Sequence, residues 1–129
     1  MALTSTLERE IDAEDAPTLA ALRRARLEAE LQRFLPIVID QMHPERIILF
    51  GSLANGQVHE WSDLDIAVIA ETDLPFLDRL EQVFLLLEPH VGLDVLVYTP
   101  KEWDHLMATR LFIQQEIVQK GRVIYERTT

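Results

Sequence analysis

The chain contains no cysteine, which excludes a disulfide framework and a thiolate metal site and fits a cytoplasmic protein. It has no apolar run near the roughly 20 residues of a membrane-spanning helix. The N-terminal stretch MALTSTLEREIDAED lacks a basic start followed by an apolar core, so neither a signal peptide nor a transit peptide is expected. Positive charge is scarce as well: 12 Lys and Arg stand against 22 Asp and Glu, a net charge of −10. Nonspecific binding to a nucleic-acid backbone depends on Lys and Arg neutralising phosphates and is therefore opposed. A basic protein partner or a metal-bridged anion suits the charge better, although acidity also serves solubility alone.

What is present is enough for one folded domain. In 129 residues, 48% are hydrophobic and 26% charged, a globular composition that can bury a core. Residues 1–16 are acidic and without period, and are expected to form a flexible arm before a domain at 17–129. Leu19, Leu22, Leu27, Leu31, Phe34, Leu35 and Val38 recur at helical spacing, which predicts a long amphipathic helix kinked or broken near Pro36. Strands are expected at Arg46–Phe50, at 62–70 and at Gly92–Tyr98. A helix is expected from Leu74 to Glu88, with Phe76, Leu77, Leu80, Val83, Phe84 and Leu87 on one face. Thr99-Pro100-Lys101-Glu102 reads as a capping box with proline at the first helical position. The helix it opens, bent midway, should stop at a left-handed Gly121 before a short strand at Val123–Tyr125. The fold class is α/β (α+β), a small mixed sheet flanked by helices.

The chemistry concentrates in residues 51–69, GSLANGQVHEWSDLDIAVI. Side chains two apart on a strand share a face, so Asp63 and Asp65 project together while Leu64, Ile66 and Val68 point the other way. The link between strands one and two is too short for a parallel crossover, which makes them antiparallel and brings Gly51 and Ser52 level with Asp63. The helix between strands two and three is long enough for a parallel crossover, which carries Asp94 to the same end of the sheet. Three carboxylates close together raise one another's pKa unless a cation balances them. Hard oxygen ligands without His or Cys suit Mg²⁺ or Mn²⁺, bound together with phosphate oxygens. Gly51 allows close approach of backbone to an anion, and Ser52 can open a short helical turn whose free N–H groups seat phosphate.

Phe50-Gly51-Ser52, ten residues and then Asp63-Leu64-Asp65-Ile66 give a Gly-Ser-x10-Asp-x-Asp signature. On it the chain resembles the DNA-polymerase-beta-like nucleotidyltransferase superfamily, and among its members the minimal nucleotidyltransferase (MNT) domains. The resemblance runs from about residue 30 to the end and includes Leu93–Val97 as the third-carboxylate strand and Lys120–Glu126 as the closing segment. It implies a nucleotidyltransferase fold in which Asp63, Asp65 and Asp94 are catalytic residues and metal ligands for two Mg²⁺ ions, with Asp94 also base or orienter. Gly51 and Ser52 would bind the nucleotide's terminal phosphates, with ATP as substrate. Leu53 departs from the family, in which many relatives carry a basic residue there.

Acceptor-binding domains of larger relatives are absent from this chain, so the acceptor is expected on another protein. MNT proteins are typically paired with a HEPN-domain toxin. The resemblance thus implies an antitoxin and protein adenylyltransferase that moves AMP from ATP to a tyrosine of the HEPN ribonuclease, in a hetero-oligomer with it. Two other classes stay open: an antitoxin that neutralises by binding alone, and a small-molecule nucleotidyltransferase with an acceptor site at a homodimer interface.

The remaining polar and aromatic residues give weaker signals. His43, His59, His90 and His105 lack metal-ligand spacing and read as surface or turn residues. Trp61 and Trp103 read as packing residues. Lys101, Arg79 and Arg110 fit either phosphate binding or solvated helix faces, and the Arg-rich part of the first helix reads as a solvated face rather than a partner surface.

Overall fold

The structure, a computed structural model, describes residues 16–128. Apart from Ala16, the arm expected over residues 1–16 lies outside the described residues. Helix α1 spans Leu19–Met42 and is opened by Thr18, whose hydroxyl oxygen accepts from the Ala21 backbone N–H at 3.0 Å. Pro36 does not break it. Pro36 and Gln32, the residue whose carbonyl loses its helical partner, are both exposed, so water can satisfy that carbonyl. The helix ends at His43 in the left-handed conformation, φ 47°.

Strand β1 (Arg46–Phe50) runs into a single helical turn α2 (Gly51–Asn55), and β2 (Leu64–Ile69) returns antiparallel to β1. Helix α3 (Phe76–Leu87) crosses over to β3 (Leu93–Tyr98), which pairs parallel with β2. Helix α4 (Pro100–Thr109), a π-helical segment (Ile113–Gln119) and β4 (Arg122–Glu126) complete the chain, and β4 pairs antiparallel with β1. The four-stranded mixed sheet has the order β3-β2-β1-β4.

Alternation along the strands divides the core in two. Ile47, Leu49, Leu64, Ile66, Val68, Val95 and Val97 pack on Leu27, Phe34 and Val38 of α1 and on Val83 and Leu87 of α3. The other face offers Ile48, Phe50, Ala67 and Ile69 to Trp103, Ile113 and Ile117. Asp65 shares this second face with Ala67 and Ile69, and Asp94 shares it with Leu96 and Tyr98.

The capping box at Thr99 and Glu102 forms as the sequence predicts, with both reciprocal hydrogen bonds present. The expected midway bend of the last helix is a break at Arg110, in an extended conformation, beyond which the helix resumes as the π-helical segment. Three expectations fail. Gly121 is not left-handed; it is glycine because a Cβ there would meet the carbonyls of Ile117 and Leu49. Trp61 is 77% exposed and belongs to neither core, whereas Trp103 is 3% exposed and part of the second core. Arg79 is not on a solvated face: it is buried and donates to the carbonyls of Leu74 at 2.8 Å and Val97 at 3.1 Å and to the Glu102 carboxylate at 2.6 Å.

Candidate active site

The site forms where β1 ends and β2 and β3 begin. Gly51 takes φ 71°, and a Cβ there would run into the Asp65 carboxyl. Only glycine satisfies both conditions without strain. The turn continues through Ser52, half-buried, to Gly56 in the left-handed conformation, whose N–H closes back on the Ser52 carbonyl. Leu53 points into the first core, 4% exposed, so a phosphate-facing side chain is not what this position supplies.

The ten-residue return path is a folded strap. The Asn55 side-chain oxygen accepts from the Gln57 N–H at 2.9 Å. The Ser62 hydroxyl, 4% exposed, accepts from the His59 N–H at 2.9 Å, and the Ser62 N–H donates to the His59 carbonyl at 3.1 Å. His43, His59, His90 and His105 are all exposed, as expected of surface residues. The Ser62 carbonyl accepts from Arg23 Nε of α1 at 2.8 Å, so the residue just before Asp63 is held from the helix as well as from the strap.

Asp65 lies between Phe50 on one neighbouring strand and Asp94 on the other. Asp65 and Asp94 are register partners on adjacent strands, so the two carboxyls stand side by side. Burial first, then the adjoining Asp94 carboxyl and the charge of Asp63, push the Asp65 carboxyl up to about 7. Asp63 stands beside this pair. Its carboxylate occupies the space that a Gly92 side chain would fill, and Arg23 Nη2 approaches it at 4.0 Å. A cleft of about 300 Å³ opens next to the pair, walled by Phe50, Val95, Leu96 and Phe112.

Asp65 and Asp94 thus stand side by side, Gly51 is against Asp65, and Asp63 is adjacent but turned toward α1. Among the described residues, no group of three metal-ligating side chains is already drawn together around one point. The donor set nevertheless fits a hard divalent cation: all donors are carboxylate oxygens, and Asp65 and Asp94 stand opposite one another on adjacent strands, where a cation would offset their repulsion. Three residues that position the site carry no signal in the motif: Arg23, Ser62 and Gly92. Only Gly92, two residues before Asp94, could have been singled out from the sequence.

A mixed sheet flanked by helices, with strand-borne aspartates beside a Gly-Ser turn, defines a nucleotidyltransferase-type domain. The family model described as "Polymerase beta, Nucleotidyltransferase" matches residues 32–129, and the chain belongs to that family. It is 34% identical over 61 residues to a Haemophilus influenzae protein named as a candidate protein adenylyltransferase, MntA, covering 45% of this chain and 54% of the relative. The chain thus spans about half the length of that relative. A Methanocaldococcus jannaschii protein, also named as a candidate protein adenylyltransferase, is 31% identical over 83 residues, covering 63% of this chain and 78% of the relative. Among solved structures, a nucleotidyltransferase-like protein from Sulfolobus solfataricus superposes with TM-score 0.62 at 18% identity, covering 88% of this chain and 93% of that one. A toxin–antitoxin complex crystallised with AMP-PNP gives 0.54 at 24% identity, over 75% and 73%. At these identities the two structures establish the fold.

Proposed function

We propose that this protein is a Mg²⁺-dependent protein adenylyltransferase and antitoxin, acting in the cytoplasm on a partner HEPN ribonuclease. In this reading Gly51 and Ser52 seat the β- and γ-phosphates of ATP. Mg²⁺ or Mn²⁺, held by Asp63, Asp65 and Asp94, would neutralise the triphosphate and the developing charge on the leaving group. A tyrosine hydroxyl of the partner enters beside Asp94, and its oxygen bonds to the α-phosphorus. The bond from that phosphorus to the bridging oxygen breaks, pyrophosphate leaves, and the hydroxyl proton passes to Asp94. The observation that carries this reading is the juxtaposition of Asp65 and Asp94 on adjacent strands with the Asp65 carboxyl packed against Gly51, which puts two carboxylates beside the Gly-Ser turn. The names of the relatives and the toxin–antitoxin neighbour support the choice of acceptor and partner.

A second reading, neutralisation by binding alone, is favoured by the position of Asp63, which faces Arg23 rather than the Asp65–Asp94 pair. Incubation with labelled ATP, Mg²⁺ and the product of the adjacent reading frame separates the two. Transfer predicts label on the partner that is lost in Asp63→Asn and Asp65→Asn. Neutralisation that persists in both variants without label would establish binding alone.

A further inference from the structure

Helix α3 buries Arg79, Val83 and Leu87 and turns its other side outward. That side carries Leu77 at 74% exposure, Leu85 at 71% and Phe84 at 41%. Leu77 and Phe84 are seven residues apart, two turns of helix, and Glu81 lies between them on the same face. Asp78 and Glu88 flank the stripe, and Glu71 and Asp73 precede the helix, all of them exposed. The only cation between residues 71 and 88 is Arg79, which is buried and bound to Glu102.

From this pattern we infer that the outer face of α3 is a docking surface for a cationic amphipathic helix of a protein partner. The partner's apolar stripe would lie over Leu77, Phe84 and Leu85 with a Lys or Arg opposite Glu81, because exposed apolar residues spaced along a helix mark helix-on-helix docking. The charge frame selects the occupant. A second copy of this chain would set acid against acid, and an anionic lipid surface or nucleic acid would be repelled in the same way. Residues 1–15 carry five acids, Glu8, Glu10, Asp12, Glu14 and Asp15, against Arg9 alone, and are likewise unsuited to it. Helix α3 leads through residues 88–92 to Gly92, against which Asp63 packs, so a partner seated there lies toward the carboxylate end of the sheet. The inference rests on the partner reading above for the existence of a protein partner, and it adds where that partner sits.

The test uses the full chain and an 18-residue amphipathic peptide of leucine and lysine, with a leucine–glutamate peptide as control. Hydrogen exchange should slow over residues 76–87 when the leucine–lysine peptide is added, and not with the control. The Leu77→Ser/Leu85→Ser double variant should weaken binding at least about tenfold while keeping the wild-type Tm, and Glu81→Lys should do the same. Protection elsewhere, or undiminished binding by both variants, overturns the inference. So does self-association of the wild type that is lost in the double variant, which would make the occupant a second copy. So does an increase of about tenfold in peptide affinity for Leu7→Ser/Ile11→Ser, which would make it the chain's own arm. Labelling of the partner protein is read separately: loss of α3 docking with labelling intact sinks only this inference, and docking without labelling sinks only the transferase reading.

Discussion

Two acids near the same sheet are treated in opposite ways. Glu102 on α4 is met by the Arg79 guanidinium and by two Thr99 groups, and the Arg79 hydrogen bond above all holds its carboxyl below the usual range. Asp65 on β2 is met by burial and by two further carboxylates, and its carboxyl is pushed up to about 7. The first arrangement is complete within the chain: removing a charge would leave a buried guanidinium unpaired. The second becomes favourable only when something cationic arrives. Where the fold needs a charge it provides the partner, and where chemistry needs one it leaves the partner out.

The largest expected effect breaks the second arrangement. Asp65→Asn should reduce AMP transfer by about 10³-fold or more, as the loss of a group that organises transition-state charge does, while Tm stays level or rises because a repulsion is removed. Next is Gly51→Ala, which forces a Cβ into the Asp65 carboxyl at φ 71°. It should lower stability by about 1–3 kcal/mol and nearly abolish transfer, seen by thermal melts and by labelling. Glu102→Gln tests the first arrangement. It should lower stability by about 1–3 kcal/mol through Arg79, with the activity of the folded fraction unchanged.

The pH dependence separates the two acids by sign. With the Asp65 pKa raised in the folded state, the unfolded chain loses this proton first as pH rises. The stability owed to it therefore falls between the ordinary carboxylate range and about 7, and is level above. Glu102, with its pKa lowered, acts the other way: its stabilisation is present above the ordinary range and is lost as pH falls below it. Denaturant melts from pH 3 to 8 should show Asp65→Asn removing the decline toward neutrality and Glu102→Gln flattening the acid loss. A metal must displace the proton that Asp65 holds below about 7, so Mg²⁺·ATP affinity should fall by up to about tenfold per pH unit below 7. The smallest effect belongs to Arg23→Ala, which removes one hydrogen bond to the Ser62 carbonyl at 2.8 Å and a loose ion pair with exposed Asp63 at 4.0 Å. Stability should fall by about 1 kcal/mol in denaturant melts.

The strands, the parallel crossover, the capping box and the Gly-Ser-x10-Asp-x-Asp frame were legible because each is written locally, in alternation, loop length or turn chemistry. The contacts that position the site were not. Arg23 reaches Ser62 across 39 positions of sequence, and Arg24, Arg26 and Arg33 donate to the carbonyls of Gly56, His90 and Glu88. What reads as a solvated arginine face is a clasp on the loops that carry Asp63 and Gly92. Arg79 misled for the same reason: its partners Val97 and Glu102 lie 18 and 23 positions away. The bend expected midway in the last helix had no proline or glycine to place it at Arg110, and Gly121 was decided by the carbonyls packed around it rather than by its backbone angles.

The most direct test is the titration of the Asp65 carboxyl by carbon-13 NMR, without ligand and then with Mg²⁺ and a non-hydrolysable ATP analogue. A midpoint near 7 in the free protein that moves below the pH range of the titration on adding both ligands would show a carboxylate pair built to receive a cation. An ordinary carboxylate midpoint in the free protein, or one near 7 that neither ligand moves, would contradict it.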